Sequence, residues 1–231
     1  MNTLTKSIGQ QMAQASLMRS VYLWMTLALV ITGLTSMYVA KSMTLINLMM
    51  QNSLLFWGLM LAEIGVVVYL TARIRHLAFS TATLLFILYS ILNGVTLSLV
   101  FLIYTFSSIA TTFFITAGTF GCMALIGYTT KKDLTRIGSL CIMGVIGLII
   151  ASLVNLFLHN SMMDLIISGV GVLIFVGLTA YDAQKIKQLL TGNDVEVNES
   201  TQKIALLGAM TLYLDFINLF LYLLRLMGDR K

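Results

Sequence analysis

Residues 208–228 read "GAMTLYLDFINLFLYLLRLMG". The run is apolar enough to cross a hydrocarbon core, for which about 20 residues suffice, yet it carries Asp215 close to its middle. A charge at the bilayer centre costs about 2.5–3.5 kcal/mol on insertion scales, so such a side chain faces other protein and finds a partner there. Asn218 follows one turn later on the same helix face, and Thr211 and Tyr213 place hydroxyls on nearby faces. Asp215 is therefore either a protonated acid joining two helices or a functional carboxylate.

The rest of the chain says which solvent it meets. Of 231 residues, 58% are hydrophobic and 10% charged, where soluble domains run about 45–50% and about 25%. So few charges cannot cover a water-facing surface, and the chain is expected to be an all-α integral membrane protein with no sizeable soluble domain. Apolar runs near twenty residues fall at roughly 20–40, 54–72, 78–104, 109–129, 137–158, 164–184 and 203–225, giving seven spans. The third is long, and "TFSSI" turns it tightly into the fourth. Residues 1–19 are polar and read as a cytoplasmic tail ahead of the membrane domain, 20–231. They do not have the pattern of a cleavable signal peptide.

Ten Lys and Arg fall on the N-terminal side of these spans: Lys6, Arg19, Arg73, Arg75, Lys131, Lys132, Arg136, Lys185, Lys187 and Lys203. Lys41, Arg225, Arg230 and Lys231 fall opposite. The positive-inside rule then places the N-terminus in the cytoplasm and the C-terminus outside. A re-entrant last segment would instead return "RLMGDRK" to the cytoplasm. The net charge of +5 is spread over segment ends without interleaved aromatics, which disfavours a nucleic-acid partner.

There is no proline, so small residues must shape the helices. Gly147 with Ala151, and Ala205 with Ala209, have the small-xxx-small spacing that lets backbones approach. The seventh helix adds mid-span polar groups to such a pair and is the best candidate for a buried, central helix. Cys122 and Cys141 lie in apolar runs and are expected to be buried packing residues. His76 and His159 lie at opposite faces with no metal-ligand spacing. No span carries a deep lysine for a retinal, so an enzymatic role is not expected and no resident cofactor is implied.

Two further carboxylates lie inside spans. Asp182, in "VGLTAYDAQKIKQ", has Thr179 at i−3 and Lys185 at i+3, so a salt bridge and a functional role are both open. Glu63, in "WGLMLAEIGVVVYLTARIR", has Arg73 ten residues on, too far for a pair along one helix; its partner must come from another helix. Counted from the lysines flanking the sixth-to-seventh loop, Asp182 and Asp215 differ in depth by about 13 Å. They meet only if the helix ends are staggered, which the sequence leaves open.

"FVGLTAYDAQKIK" and "LGAMTLYLDFINLFLYLLRLMG" closely resemble the two signature segments of the Bax inhibitor-1 (transmembrane BAX inhibitor motif) family. "LYSILNGVTLSLVFLIYTFSSIATTFFITAGTFGCMALIGYTTKKDL" and "MGVIGLIIASLVNLFLHNS" resemble the third to fifth helices of its bacterial branch. The similarity runs from about residue 20 to 230. It implies seven helices with the last one central and the other six around it, and a hydrogen-bonded aspartate pair, here Asp182 and Asp215. It also implies pH-sensitive calcium leak across a membrane, in bacteria the inner membrane, and in eukaryotes suppression of cell death. Some bacterial members are linked to a membrane-bound protease, so a membrane interaction protein is the alternative reading. Relatives with an arginine latch at the end of helix two point to Arg73 or Arg75 here, and the register singles out neither.

Two close carboxylates in a low-dielectric site resist ionising together, and their titration belongs to the pair. Calcium prefers oxygen ligands of this kind. Asp182 and Asp215 are thus the expected gating and calcium-binding residues, with Asn218 and Glu63 along the ion path. Lipid, calcium and protons are the expected partners.

Overall fold

The computed structural model describes residues 2–191 and 196–231, with side chains described from residue 9 onward. The Lys6 side chain and residues 192–195 of the polar loop "LLTGNDVEVNES" lie outside the described set. Nine helices form among the described residues: α1 Asn2–Lys41, α2 Met43–Gln51, α3 Ser53–Arg73, α4 Phe79–Leu97, α5 Val100–Ile103, α6 Phe106–Thr129, α7 Thr135–Leu158, α8 Ser161–Leu189 and α9 Glu199–Met227. Seven stretches are long and apolar enough to cross a membrane, with α4 and α5 together forming the third. All seven expected spans are present.

Three departures have local causes. The polar stretch before residue 20 is not separated from the first span, because α1 runs through it unbroken. Its Gln, Ala, Met and Leu residues favour helix, and Leu17, Met18 and Val21 are buried. Between the first two spans, α2 replaces what reads as a linker. Its Ile46 and Met49, one turn apart, cluster with Val39 under Leu59, Val95, Leu99 and Leu102. The third span is interrupted at Ser98–Leu99. There the Ser98 N–H bonds to both Gly94 O (3.1 Å) and Val95 O (3.2 Å), and the Ser98 hydroxyl donates to Val95 O at 2.6 Å. This tightening to i→i−3 bonds lets a serine break the helix where proline is unavailable.

The chain divides into two compact units. One comprises residues 1–103, 189–213 and 231; the other comprises 104–188 and 214–230. In the first, α4 packs on α1 so closely that a Cβ on Gly94 would lie 2.8 Å from Thr32 O. Tyr213 of α9 is fully buried there, edge-on to Phe86 and Tyr89 at 5.9 and 5.8 Å. Its hydroxyl lies 2.8 Å from that of Thr32, which itself donates to Ser90 O at 2.9 Å. In the second unit, Phe216 of α9 meets Phe113 and Phe120 edge-on, both at 5.5 Å, and Tyr222 stacks on Phe175 at 5.7 Å.

These contacts make α9 the most buried span. Two thirds (67%) of its apolar window is buried, against 6% for α3. Ala205 and Ala209 are buried as expected. Gly147 is not at a helix contact: it is exposed, with nothing within 4 Å of an added Cβ. Cys141 is buried, but Cys122 is exposed on the outside of its helix, so the expectation of burial fails there; both thiols are free.

Within the first unit, the start of α9 and the chain's residue Lys231 lie at opposite ends of the third span. The Phe79 N–H donates to Glu199 Oε1 (3.1 Å) and Lys203 Nζ to Leu77 O (2.8 Å) at one end. At the other, the Lys231 N–H donates to Ile103 O (2.9 Å) and its Nζ to Phe101 O (2.7 Å).

Candidate functional site

Asp182 stands seven residues before the end of α8 and Asp215 sixteen after the start of α9. Their carboxyl groups are within hydrogen-bonding reach of each other. For two antiparallel helices this contact requires their ends to be staggered by roughly 13 Å, which closes the depth gap that the sequence leaves open. Asp215 is 5% exposed, and its Oδ2 is buried with no hydrogen-bond partner among the described residues. Asp182 is half-buried.

The other polar groups expected near the pair bond elsewhere. Thr179 donates to Phe175 O (2.7 Å), Thr211 to Leu207 O (3.1 Å) and Asn218 Nδ2 to Leu214 O (2.8 Å). Each bonds back to the carbonyl four residues earlier, as short polar side chains do in helices. Tyr213 turns to Thr32. Lys185 is the basic residue whose charge acts on Asp182, but no salt bridge joins them within 4.0 Å among the described residues; its ammonium lies 5.5 Å from the Tyr181 ring centroid.

The surroundings are built by close backbone approach. A Cβ on Gly127 of α6 would fall 2.0 Å from Ala180 O, one on Gly138 of α7 would strike the Tyr181 ring, and one on Gly177 would meet Cys141 Sγ at 2.7 Å. These glycines let α6 and α7 close on α8 beside Asp182, and nothing in their spacing distinguishes them from Gly147. Two residues past Asp182, buried Gln184 donates to Lys132 O (2.8 Å) and accepts from Leu134 N (2.9 Å). Lys187 donates to Tyr128 O at 2.8 Å. Together they hold the α6–α7 turn against α8. In that turn the exposed Asp133 carboxyl sits below the usual carboxylate range because the Thr135 hydroxyl and N–H both donate to it, at 2.6 and 2.9 Å.

Glu63 finds its partner on another helix, as expected: it accepts from the Thr96 hydroxyl of α4. Arg73 and Arg75 are exposed at the end of α3, with no salt bridge among the described residues. His159 ends α7 in the left-handed conformation (φ 50°). No group of three or more His, Cys, Asp or Glu side chains gathers among the described residues. The pair thus stands without a third such side chain beside it among the described residues.

The model for a family described as "Inhibitor of apoptosis-promoting Bax1" matches residues 14–231. Inner membrane protein YbhL of Escherichia coli K12 is 46% identical over 214 residues, 93% of this chain and 92% of the relative. A protein of Borreliella burgdorferi is 42% identical over 99% of this chain and 98% of its own length. One from Rickettsia prowazekii is 45% identical over 93% and 89%.

Proposed function

The chain belongs to the Bax inhibitor-1 family, and from that premise we propose that it is a passive calcium leak gated by a proton shared between Asp182 and Asp215. Its membrane, by similarity to the Escherichia coli inner membrane protein, is the bacterial inner membrane. The observation that carries the proposal is the direct approach of two carboxyl groups, one of them almost wholly buried with an unpartnered oxygen.

Two carboxylates in contact at low dielectric cannot both remain charged and unpaired. With one proton between them they form a charge-assisted hydrogen bond that ties α8 to α9. Without it, a dianionic pair repels itself and offers four oxygens to a hard divalent cation. Proton and calcium compete for the same atoms, so calcium flux rises as pH is raised through the titration of the pair. Lys185 supplies the nearest positive charge, and Asn218 sits one turn along α9 on the ion's route.

Calcium entry into dye-loaded proteoliposomes at a series of pH values tests this. Asp215→Asn and Asp182→Asn should each flatten the pH response. Flux that keeps the wild-type pH dependence in both variants would remove the gating role and leave the interaction reading, in which the partner is a membrane-bound protease.

A further inference from the structure

We propose that the first unit holds a second intramembrane site, built from Glu63, Asn93, Thr96 and Tyr89, that binds a monovalent alkali cation such as sodium. The proposal does not rest on the calcium reading, since it uses none of the residues of the aspartate pair.

Glu63 lies ten residues from either end of α3, about 15 Å along the helix from Arg73. No Lys or Arg occurs within α3 before Arg73 or anywhere in α4. A carboxylate at such depth is neutralised by a proton or by a positive partner. What surrounds it instead is oxygen and amide. The Thr96 hydroxyl donates to Glu63 Oε1, and Asn93, one turn before Thr96, shares its face of α4. Asn93 Nδ2 also lies 3.4 Å from the Tyr89 hydroxyl.

The second, independent observation is an orphan. Asn93 is 8% exposed, and its Oδ1 is buried with no hydrogen-bond partner among the described residues. A buried acceptor left unpaired costs about 1–3 kcal/mol, and a cation coordinated at this site supplies the missing partner. The helix supports the same use. Two residues beyond Thr96 the third span is interrupted, and Thr96 O accepts from Leu99 N only at 3.3 Å. Interrupted membrane helices beside an intramembrane carboxylate are where carbonyls turn toward small cations.

The charge of the set chooses the ion. One carboxylate among neutral oxygens is balanced by a single positive charge. A divalent ion would leave a net charge in the hydrocarbon, at a desolvation cost of several kcal/mol. The second unit's pair, with two carboxylates, differs in this respect.

The test is sodium titrated into the purified full-length protein in detergent, with choline chloride holding ionic strength constant and thermal unfolding as the readout. The wild type should show a saturable rise in midpoint. Glu63→Gln should abolish the sodium dependence, and Asn93→Ala should weaken apparent affinity by tenfold or more. The double variant Asp182→Asn, Asp215→Asn should respond like the wild type. Should Glu63→Gln fail to fold, Asn93→Ala and Thr96→Val decide. No sodium effect beyond choline, which is what a protonated, purely structural Glu63 gives, would overturn the proposal. So would a wild-type response in the site variants, or, in the double variant Asp182→Asn, Asp215→Asn, a calcium response equal to that of sodium at matched concentration.

Discussion

At Gln184 a single buried amide fixes where a loop sits, since its oxygen takes the Leu134 N–H and its nitrogen gives to Lys132 O. Each bond is worth about 1 kcal/mol net, and stranding its partner costs more. Gln184→Leu should therefore lower the unfolding midpoint and speed hydrogen exchange at the Leu134 amide, with exchange inside α8 unchanged; unaltered exchange at Leu134 would contradict the clamp. Next to it, Asp133 has a folded-state titration below its unfolded one, because Thr135 donates to the charged form. The interaction is present above the unfolded value and lost as pH falls through the depressed one. Thr135→Ala should move the Asp133 carboxyl titration, followed by carbon-13 NMR, upward toward the ordinary carboxylate value. Residues of this kind differ in how far the sequence exposes them. Asp182, Asp215 and Glu63 are visible because a carboxylate in an apolar run is costly. Gln184 and Asn93 are amides near other polar residues, and nothing in their spacing announces a clamp or an orphaned oxygen. That Thr179, Thr211 and Asn218 bond back to their own helices was equally hidden, since spacing gives the face of a side chain and not its rotamer.

Helices here are set by where glycine meets backbone. Gly127 and Gly147 look alike in the sequence, each a glycine within an apolar run, but only Gly127 faces another helix. Gly127→Ala would drive a methyl into Ala180 O and force α6 from α8, at about 1–3 kcal/mol for overpacking. Gly147→Ala meets open space and should be neutral or stabilising, by up to about 1 kcal/mol of helix propensity. Unfolding midpoints of the two variants in one detergent should separate in that order; a loss at Gly147 equal to that at Gly127 would contradict the packing. The sequence could not distinguish them because lipid is as apolar as a protein interior. Hydrophobic runs thus locate the seven spans without telling their inner faces from their outer ones. The same degeneracy hid α2, whose Ile46 and Met49 lie in a stretch too short to read as a span. The break at Ser98–Leu99 was hidden for another reason, since a serine interrupts a helix only when its hydroxyl bonds back, and composition does not record that.

For the molecule as a whole, the odd number of crossings decides where the termini lie. In the first unit, α9 begins beside Leu77 and Phe79 and its tail ends beside Phe101 and Ile103, the two ends of the third span. Lys231 therefore lies beside the end of the third span at Ile103. The lysine and arginine distribution predicts the sides: the turn bearing Lys131 and Lys132 in the cytoplasm, and Arg230 and Lys231 outside. In a background with Cys122 and Cys141 replaced by serine, Lys132→Cys should resist a membrane-impermeant maleimide applied to intact cells and react after permeabilisation. Arg230→Cys should react from outside in both conditions. Labelling of both from the same side would show that one span fails to cross, and labelling in the reverse order would invert the assignment. The outcome also bears on gating. Asp182 lies two residues from the Gln184 clamp on the Lys132 turn, so with this orientation the proposed calcium leak should follow cytoplasmic pH more steeply than external pH.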